Sequence, residues 1–447
     1  MADKSPHRAV VPQEDLAGCT CGKEHPQPVT TLCLDSDAIE ILAGDCRGRG
    51  KVLLISDPDT EQVAGRDLCH ALESKDVSFD RLCLGSQPEA TEDQVDEVAA
   101  AAKDADLIVG IGAGTISDLA KFAGDRLKLP SWCLATAPSM NGYTSAIAAI
   151  KVRGVKRTLP CKTHDCIYAV PEIVCRAPLK LKQAGFCDVM AKVVSDVDWQ
   201  CESLLFSNSY CALPSAMLAR VEKEYAKVPE AIGRGEDGAT MALFQGLLTS
   251  GVAMSLAGSS APASGGEHLV SHFWDMREAV TGRRPELHGL QVGLGIVLSA
   301  ACYRRLARLS KKDLKPIADG LLGRLSESIP SIWGCYAEEV AAQLRGKESA
   351  LRQFDQLLPE TWDQLVPLFR QVRPPEEFAD LFQRTGAPFT LEAFDLSAEE
   401  FLLAALNARA IRERITVLDL ADHAGELEAA AEESLRLLRR ASPSRIS

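Results

Sequence analysis

Three segments of the sequence place aspartate and histidine where they could hold a metal ion. Asp188 ends the segment GFCD, His268 and His272 stand four residues apart in HLVSH, and His288 lies in LHG. An aspartate and two histidines form an open site for a divalent ion, which leaves coordination positions for substrate oxygens. Because residues four apart share one helix face, His268 and His272 could chelate the ion together. Alternatively, one of them binds the ion and the other contacts the substrate.

A glycine-rich segment at 110–118 (GIGAGTISD) leaves an apolar strand and enters a helix. Glycines allow tight turning and a close approach of the backbone to a ligand. The N-terminus of the following helix offers unpaired N–H groups to an anion. The spacing departs from GxGxxG because the third glycine comes too early. The segment therefore predicts a phosphate-binding turn, with a sharp turn that binds nothing as the alternative.

A second polar segment at 136–145 (TAPSMNGYTS) follows the next predicted strand. Loops that follow parallel strands share the sheet edge at which open α/β sheets bind ligands. Asp57 ends an earlier strand at that edge, where it could contact a ribose hydroxyl or cap its own loop. The basic run of Lys151, Arg153, Lys156, Arg157 and Lys162 could hold a substrate phosphate or form a solvated hairpin.

The elements that must position these residues change character along the chain. Strands predicted at 51–56, 79–84, 107–111 and 132–135 alternate with helices predicted at 61–73, 92–103 and 116–127. This alternation indicates βαβ units and a parallel sheet. After about residue 175, long helical patterns rich in Leu, Ala, Glu and Arg predominate. We predict a polar N-terminal arm (1–30), an α/β dinucleotide-binding domain with a parallel sheet (31–175) and an all-α metal- and substrate-binding domain (176–447).

Composition narrows the function classes. The formal net charge of −13 disfavours nucleic-acid binding, which needs a basic face, and no run of 18 apolar residues predicts a membrane span. The fifteen cysteines are scattered without a CxxC pair, which indicates reduced thiols in the cytoplasm. Cys19, Cys21 and His25 are one ligand short of a tetrahedral zinc set. We therefore interpret them as incidental thiols of a polar arm, with a zinc site as the alternative.

The ensemble of motifs, in order and spacing, resembles the sn-glycerol-1-phosphate dehydrogenases. These belong to the superfamily of dehydroquinate synthases, glycerol dehydrogenases and iron-containing alcohol dehydrogenases. The resemblance runs from about residue 30 to about 430. It rests on GAGTISD (112–118), TAPSMNGYTS (136–145), GVKRTLP (154–160), GFCD (185–188), GEHLVSHFWDM (266–276), LHG (287–289) and RERITVLDL (412–420).

The resemblance implies an NAD- or NADP-linked enzyme that reversibly reduces dihydroxyacetone phosphate to sn-glycerol 1-phosphate, working as a homo-oligomer. One divalent ion, zinc in many members and nickel or iron in others, would bind Asp188, His268 and His288. Asn141, Asp188 and His272 would contact the substrate, with His272 and Asn141 nearest the chemistry. The dinucleotide would lie across Gly114, Thr115, Ile116, Ser117, Asp118, Thr136, Ser139 and Ser145.

One position departs from the family pattern. The family has aspartate in its SxDGY segment, where this sequence has Asn141, and an amide can hydrogen-bond but cannot act as a base. A catalytically silent, ligand-binding homologue is therefore one alternative to the dehydrogenase. Another is a dehydroquinate-synthase-like cyclase, which shares the cofactor and the metal. Those enzymes usually carry glutamate at the first metal position, so Asp188 argues against the cyclase.

Overall fold

The computed structural model describes residues 7–8, 16, 19–22, 24–25, 31–314 and 320–440. Most of the predicted N-terminal arm therefore lies outside the described residues. The chain divides into two compact units. The first, here called the sheet unit, comprises Met1–Val189 and Cys211–Ser260, and the second, the helical unit, comprises Met190–Tyr210 and Ala261–Ser447. The sequence interpretation placed all residues after 175 in the helical domain, whereas the helices between 211 and 260 group with the sheet.

The strands of the sheet unit form one large sheet and one hairpin. They are β1 (His7–Arg8), β2 (Thr31–Leu34), β3 (Val52–Ser56), β4 (Phe79–Cys83), β5 (Leu107–Gly112), β6 (Ser131–Ala135), β7 (Ile147–Val152), β8 (Val155–Pro160) and β9 (Cys166–Ala169). The seven-stranded sheet has the order β1-β2-β9-β6-β5-β3-β4, and β7 pairs with β8. The six strands from β2 to β4 in this order are each parallel to their neighbours, whereas β1 at the edge is antiparallel to β2.

The predicted parallel sheet is confirmed, and the four predicted strands correspond to β3, β4, β5 and β6. The prediction missed β2 and β9, which have only four residues each. Such short runs show no clear period, and their pairing partners lie far away in sequence. Gly112 at the end of β5 pairs with Ala135 at the end of β6. The glycine-rich turn and the 136–145 segment therefore start side by side at one sheet edge.

The helices in chain order are α1 (Ala38–Asp45), α2 (Pro58–Thr60), α3 (Arg66–Ser74), α4 (Glu92–Ala101), α5 (Gly114–Leu127), α6 (Pro171–Arg176), α7 (Leu179–Met190), α8 (Lys192–Phe206), α9 (Ala212–Tyr225), α10 (Pro229–Gly233), α11 (Asp237–Ala257), α12 (Gly266–Thr281), α13 (His288–Leu306), α14 (Gly320–Trp333), α15 (Ala337–Arg352), α16 (Phe354–Phe369), α17 (Pro375–Arg384), α18 (Ala398–Asn407), α19 (Val417–His423) and α20 (Leu427–Arg440). A π-helical turn, Glu61–Gly65, joins α2 to α3. Each helix predicted from the sequence has a counterpart among these elements.

Both faces of the central sheet are covered by helices. Successive side chains of a strand point to opposite faces, so Leu54 of β3 packs with α1 and α3 while Ile55 packs with α4 and α5. All five residues of β3 and all six of β5 are buried. Continuous apolar strands of this kind are expected where a parallel sheet is covered on both sides.

Within the described part of the chain, one helix, α11, is long and apolar enough to cross a membrane by length and composition. However, 72% of its most apolar window is buried. Phe244 and Leu248 of this helix join the core formed by β6, β9 and Tyr143. Helix α11 is accordingly a core helix of the sheet unit, and its composition reflects that burial.

The centre of the helical unit is the pair α12 and α13. Residues 266–277 of α12 and 289–303 of α13 are all buried. A Cβ atom added to Gly295 of α13 would lie 2.3 Å from the carbonyl oxygen of Glu267 on α12. Only glycine permits this approach of two helix backbones, so Gly295 sets the packing of the pair that carries the three clustered histidines.

Candidate active site

The glycines of the β5–α5 turn serve close packing. A Cβ atom at Gly110 would lie 2.9 Å from Cβ of Ala120, and one at Gly112 would lie 2.8 Å from Cβ of Ile116. Neither glycine has a positive φ, so their function is to let α5 return tightly against β5. The expected glycine-rich turn is present. Gly110 and Gly112 are required for close packing and not for an unusual backbone conformation.

The N-terminus of α5 lies at the carboxyl end of β5. Ala113 is the N-cap residue and provides no side-chain cap. Gly114 and Thr115 are half-buried there, and a Cβ atom at Gly114 would meet only the flexible side chain of Met140 at 3.0 Å. The first N–H groups of this 14-residue helix thus form a positive end that suits a pyrophosphate.

Two residues that were predicted to contact the cofactor have side chains that make buried contacts within the protein. Ser117 is fully buried, and its hydroxyl lies 3.0 Å from Nε2 of His164, whose Nδ1 is 3.0 Å from the hydroxyl of Ser131. Burial lowers the pKa of His164 to about 3, so the ring is neutral. The Ile116 side chain packs beneath Gly112. Ser117 and Ile116 can therefore contribute to a ligand through their backbone only.

A buried ion pair fastens α5 to the 136–145 segment. Lys121 is fully buried, and its Nζ donates to the carbonyl oxygens of Gly142 at 2.8 Å and Ser145 at 3.2 Å. The same Nζ lies 3.3 Å from Oδ1 of Asp118, while Oδ2 accepts from the backbone N–H of Ala149 at 3.0 Å. Burial raises the pKa of the Asp118 carboxyl, and the charge of Lys121 opposes that shift.

Sequence reasoning missed Lys121. The available signal was a lysine on the apolar face of a helix between Ala120 and Ala123. A lysine there is seldom fully buried unless it is paired. The predicted site residue Asp118 accordingly acts together with Lys121 to position a loop.

Further hydrogen bonds hold the 136–145 segment in place, one within the segment and two to its neighbours β5 and α11. The Thr136 N–H donates to the carbonyl oxygen of Gly112 at 3.2 Å, and the Ser145 hydroxyl donates to that of Gly142 at 2.9 Å. Thr144 donates to the carbonyl oxygen of Leu248 at 2.6 Å. Ser145 is fully buried and Ser139 is half-buried. Of the two serines of this segment that were predicted to contact the dinucleotide, Ser139 is the more accessible.

The structure shows the surroundings of Asp57 and of the basic run, for each of which the sequence left two interpretations open. Asp57 is the N-cap residue of α2, since its Oδ1 accepts from the Thr60 N–H at 2.8 Å and its own N–H donates to the Thr60 hydroxyl at 3.0 Å. The basic run lies on and beside the β7–β8 hairpin, where Arg153 and Gly154 occupy the turn with φ of 50° and 80°. Lys151 pairs with Glu89 at 2.7 Å. The structure shows the cap and the hairpin, while the ribose contact of Asp57 and the phosphate contact of the basic run stay predictions.

Asn141 and Asp188 meet within the sheet unit. The backbone N–H of Asn141 donates to Oδ2 of Asp188 at 3.0 Å, and Asp188 is buried. A Cβ atom at Gly185 would lie 1.9 Å from the carbonyl oxygen of Pro138, which explains the glycine of GFCD: helix α7 approaches the loop too closely for a side chain. The contact uses the main chain of residue 141, so an asparagine supports it as well as an aspartate would.

His268 and His272 of the HLVSH motif and His288 of the LHG motif cluster in the helical unit. The ring centroids of His268 and His288 are 5.1 Å apart, those of His272 and His288 are 5.3 Å apart, and those of His268 and His272 are 6.2 Å apart. His268 and His272 are buried, and the His288 side chain is 28% exposed. The helical spacing and the start of α13 thus bring the predicted histidines together.

Buried partners, a carboxylate for His268 and a hydroxyl for His288, orient two of these rings. Nδ1 of His268 lies 2.8 Å from Oε1 of Glu267, and Nδ1 of His288 lies 2.8 Å from the hydroxyl of Ser271. A histidine that donates from Nδ1 carries its lone pair on Nε2, and metal-binding histidines are commonly oriented in this way. Sequence reasoning did not identify Glu267 or Ser271, although both lie within the GEHLVSH motif.

Asp275 adds a carboxylate to the cluster. Its Oδ2 lies 3.8 Å from Nδ1 of His272 and 3.9 Å from Nδ1 of His288, and its Oδ1 accepts from the Gln291 amide at 2.8 Å. Ligand atoms of His272, Asp275 and His288 lie within 4.8 Å of one another. The helical unit therefore accommodates His272 either beside an ion or facing a substrate, the same two alternatives as the sequence.

Asp198 fixes the beginning of α12. It accepts from the backbone N–H of Gly266 at 2.8 Å and of Val417 at 2.6 Å, and from the hydroxyl of Tyr303. Burial, reinforced by the charge of Glu267, raises the pKa of Asp198 to about 7. Val417 belongs to the RERITVLDL segment, so that segment helps to place the helix that carries the histidines.

Known proteins resemble this chain in sequence and in fold. The family model for iron-containing alcohol dehydrogenases matches residues 36–178. The glycerol-1-phosphate dehydrogenase [NAD(P)+] of Halalkalibacterium halodurans is 32% identical over 65% of this chain and 75% of its own, and that of Bacillus licheniformis is 27% identical over 93% and 94%. A probable glycerol dehydrogenase structure from Sinorhizobium meliloti has the same fold, with a TM-score of 0.59 at 15% identity over 91% of this chain and 98% of its own. With its motifs, fold and sequence in agreement, the chain belongs to the glycerol-1-phosphate dehydrogenase family of the iron-containing alcohol dehydrogenase superfamily.

Proposed function

We propose that this protein is a metal-dependent, NAD(P)-linked dehydrogenase that interconverts dihydroxyacetone phosphate and sn-glycerol 1-phosphate. The observation that carries the proposal is the contact of two histidine Nδ1 atoms with buried partners, Glu267 for His268 and Ser271 for His288. The relatives' names, glycerol-1-phosphate dehydrogenase [NAD(P)+], supply the substrate and the cofactor.

In this proposal Asp188, His268 and His288 hold one divalent ion, zinc first, with nickel and iron as the other candidates. The donor set fits such an ion because it combines a carboxylate with two imidazoles. The Glu267 carboxylate accepts from Nδ1 of His268 and so leaves the Nε2 lone pair of that ring for the ion. Asp188 enters the set through the family resemblance, and its burial beneath Asn141 holds the carboxylate in a fixed orientation.

When bound, the ion supplies Lewis-acid polarisation of the substrate's central oxygen, and the nicotinamide supplies the hydride. The protein's own residues bind and orient. Backbone N–H groups of Gly114 and Thr115 donate hydrogen bonds to the pyrophosphate, and Lys121 keeps the neighbouring loop in place. His272 hydrogen-bonds a substrate hydroxyl and exchanges its proton with solvent.

Asn141 fits this scheme as a hydrogen-bonding residue. Its side-chain amide contacts a substrate hydroxyl, and its backbone N–H holds Asp188 at 3.0 Å. Since an amide does not take up a proton at neutral pH, proton exchange is left to His272. The dependence of turnover on pH should therefore follow one imidazole and show no second group at residue 141.

The proposal also covers the protein's setting. Among the residues that the structure describes, no disulfide joins two cysteines, which supports a reducing compartment such as the cytoplasm. A homo-oligomer follows from the family resemblance, and sedimentation or light scattering of the purified protein tests it.

The decisive assay follows the absorbance of reduced nicotinamide with dihydroxyacetone phosphate, after the metal-free protein has been loaded with Zn²⁺, Ni²⁺ or Fe²⁺. We expect metal-dependent oxidation of NADH or NADPH. The reverse reaction should prefer sn-glycerol 1-phosphate to its enantiomer. Absence of turnover, with metal and cofactor both shown to be bound, would contradict the proposal and favour the silent homologue. An Asn141→Asp variant that then gained activity would locate the defect at that residue.

A further inference from the structure

Four side chains with soft or nitrogen ligand atoms converge at one place in the sheet unit, outside the site described above. Cys19, Cys21 and His25 come from the N-terminal segment, and Cys211 comes from a position 192 residues after Cys19. Their ligand atoms all lie within 4.8 Å of one another. The sequence showed three of these ligands, and the fold supplies the fourth.

The distances match those that a tetrahedral ion imposes. Zn–S bonds of about 2.3 Å and Zn–N bonds of about 2.0 Å put tetrahedral S···S pairs about 3.8 Å apart and S···N pairs about 3.5 Å apart. Here Sγ of Cys19 lies 3.5 Å from Sγ of Cys211. Nε2 of His25 lies 3.1, 3.3 and 3.7 Å from the Sγ atoms of Cys21, Cys19 and Cys211. The imidazole therefore contacts all three sulfurs through one nitrogen.

The other imidazole nitrogen is already oriented. Nδ1 of His25 lies 3.0 Å from the carbonyl oxygen of Leu256, near the end of α11. A carbonyl can only accept, so Nδ1 carries the proton and Nε2 has its lone pair towards the sulfurs. A backbone carbonyl on the remote nitrogen is a common second partner of metal-binding histidines.

The surrounding fold holds the ligands in place. Cys211 is buried and is the N-cap residue of α9. Leu16 packs against the apolar cluster of Met217, Val252 and Leu256, and the Cys19 N–H donates to the carbonyl oxygen of Leu16 at 3.2 Å. Both sides of the cluster are thus anchored to helices α9 and α11.

We propose that Cys19, Cys21, His25 and Cys211 bind one structural zinc ion that fastens the N-terminal segment to α9 and α11. Four protein ligands complete a tetrahedron, so this site has no position for a substrate. Three sulfurs select zinc over the harder ions magnesium and calcium. The site is separate from the Asp188, His268 and His288 set.

A disulfide between Cys19 and Cys211 would explain fewer of the observed contacts than a bound ion does. Their sulfurs are 3.5 Å apart, against about 2.0 Å in a disulfide. Such a bond would also leave Cys21 and the oriented imidazole without a role. An ion explains all four ligands and the Leu256 contact together.

Attachment of the N-terminal segment to α11 should also affect the 136–145 segment. The Ser255 hydroxyl of α11 donates to the carbonyl oxygen of Thr144 at 2.9 Å, and Thr144 donates to Leu248 at 2.6 Å. The end of α11 therefore contacts both the zinc ligands and the 136–145 segment. Loss of the ion should destabilise the sheet unit and loosen that segment as well.

The test counts zinc in the full-length chain purified under reducing conditions, in a His268→Ala background that removes the proposed active-site ion. We expect about one equivalent of zinc per chain in His268→Ala and almost none after Cys211→Ser is added. Cys161→Ser in the same background is the matched control, because Cys161 is also buried but lies outside the cluster. It should keep its zinc.

Cobalt supplies a second measurement that does not depend on the Cys211→Ser variant folding. Co²⁺ exchanged into the His268→Ala protein should show the intense thiolate-to-cobalt charge-transfer absorption that a histidine and carboxylate site cannot give. The inference is overturned if His268→Ala contains no zinc and shows no such absorption. It is also overturned if mass spectrometry of the reduced preparation finds Cys19 linked to Cys211. Failure of dehydrogenase activity alone would concern the proposed function and leave this zinc count unaffected.

Discussion

The carboxylate of Glu267 lies 2.8 Å from Nδ1 of the adjacent His268, and it also accepts the backbone N–H of Gly265 at 2.7 Å. The carboxylate is fully buried at the start of α12. It therefore fixes both the orientation of the imidazole and the turn that introduces the helix. A ring held in this way keeps the Nε2 lone pair directed away from Glu267, which is the orientation a metal ligand needs.

Glu267→Gln should weaken metal binding without removing a ligand. Glutamine keeps the size and the acceptor oxygen but loses the negative charge that makes the imidazole more basic. Loss of such an outer partner commonly weakens metal affinity about tenfold to a hundredfold. Competition with a chromogenic chelator measures the affinity. Glu278→Gln on the same helix is the control, and equal affinities for both variants would refute the role given to Glu267.

The two histidines of α12 should separate into different functions. His268→Ala should lose the active-site ion and turnover together, since it removes a proposed ligand. His272→Ala should keep the ion and lose most of its turnover, because only the substrate contact is removed. Metal content and initial rates of the two variants, measured in parallel, decide. If His272→Ala also loses the ion, His272 and Asp275 belong to the ion-binding set instead.

Sequence reasoning predicted the parts of this protein that are governed by local pattern. The buried runs of β3 and β5, the glycine-rich turn and the i,i+4 pair of His268 and His272 all depend on neighbours within a few residues. The resemblance then placed the motifs in one family. These parts correspond to the central sheet and to the histidine cluster of the helical unit.

The parts that escaped prediction depend on contacts between distant segments. Cys211 completes the cluster of Cys19 from 192 residues away, and no local spacing marks it. Asp198 accepts a hydrogen bond from the first residue of α12, 68 residues later in the sequence. Lys121 donates to Gly142 and Ser145, and no sequence pattern around Lys121 or in that loop marks the contact. The sequence interpretation of incidental thiols in the N-terminal arm followed from counting only three ligands.

Lys121→Met should weaken dinucleotide binding. Methionine fills a similar volume but no longer donates to Gly142 and Ser145, so the 136–145 segment loses its attachment to α5. We expect the KM for the dinucleotide to rise about tenfold, since one buried charged hydrogen bond contributes roughly 1.5–3 kcal/mol. Initial rates at varied dinucleotide give the KM. The mutation also leaves Asp118 without its cation, so Lys121→Met/Asp118→Asn tests whether loop attachment alone accounts for the change. A KM equal to that of the wild type in both variants would contradict the role of Lys121.

His164 should make the protein sensitive to mild acid. Its pKa is about 3 in the folded state because the ring is buried, whereas an unfolded histidine has a pKa of about 6.5. Between these values the unfolded chain binds the extra proton, so stability falls as the pH falls, by about 1.4 kcal/mol per pH unit. His164→Gln should therefore lose less stability than the wild type between neutral pH and mildly acidic pH in urea unfolding. Exposed His70→Gln should behave as the wild type does, and identical pH slopes for all three proteins would rule the mechanism out.

The buried pair of Lys347 and Asp419 should be costly to break from either side. Nζ of Lys347 lies 2.7 Å from Oδ2 of Asp419 and donates to the carbonyl oxygen of Arg409 at 2.9 Å, with both paired side chains fully buried. Lys347→Met leaves the buried carboxylate with the Thr416 N–H at 2.9 Å and the more distant Arg409 guanidinium at 3.6 Å. We therefore expect a loss of about 3–5 kcal/mol in the free energy of unfolding. Lys347→Met/Asp419→Asn should recover part of that loss because it removes the uncompensated charge. Arg352→Met, which breaks an ion pair with a 63% exposed arginine, should cost less than about 1 kcal/mol. Urea unfolding of the four proteins gives the comparison, and equal costs for Lys347→Met and Arg352→Met would show that burial does not control the strength of this pair.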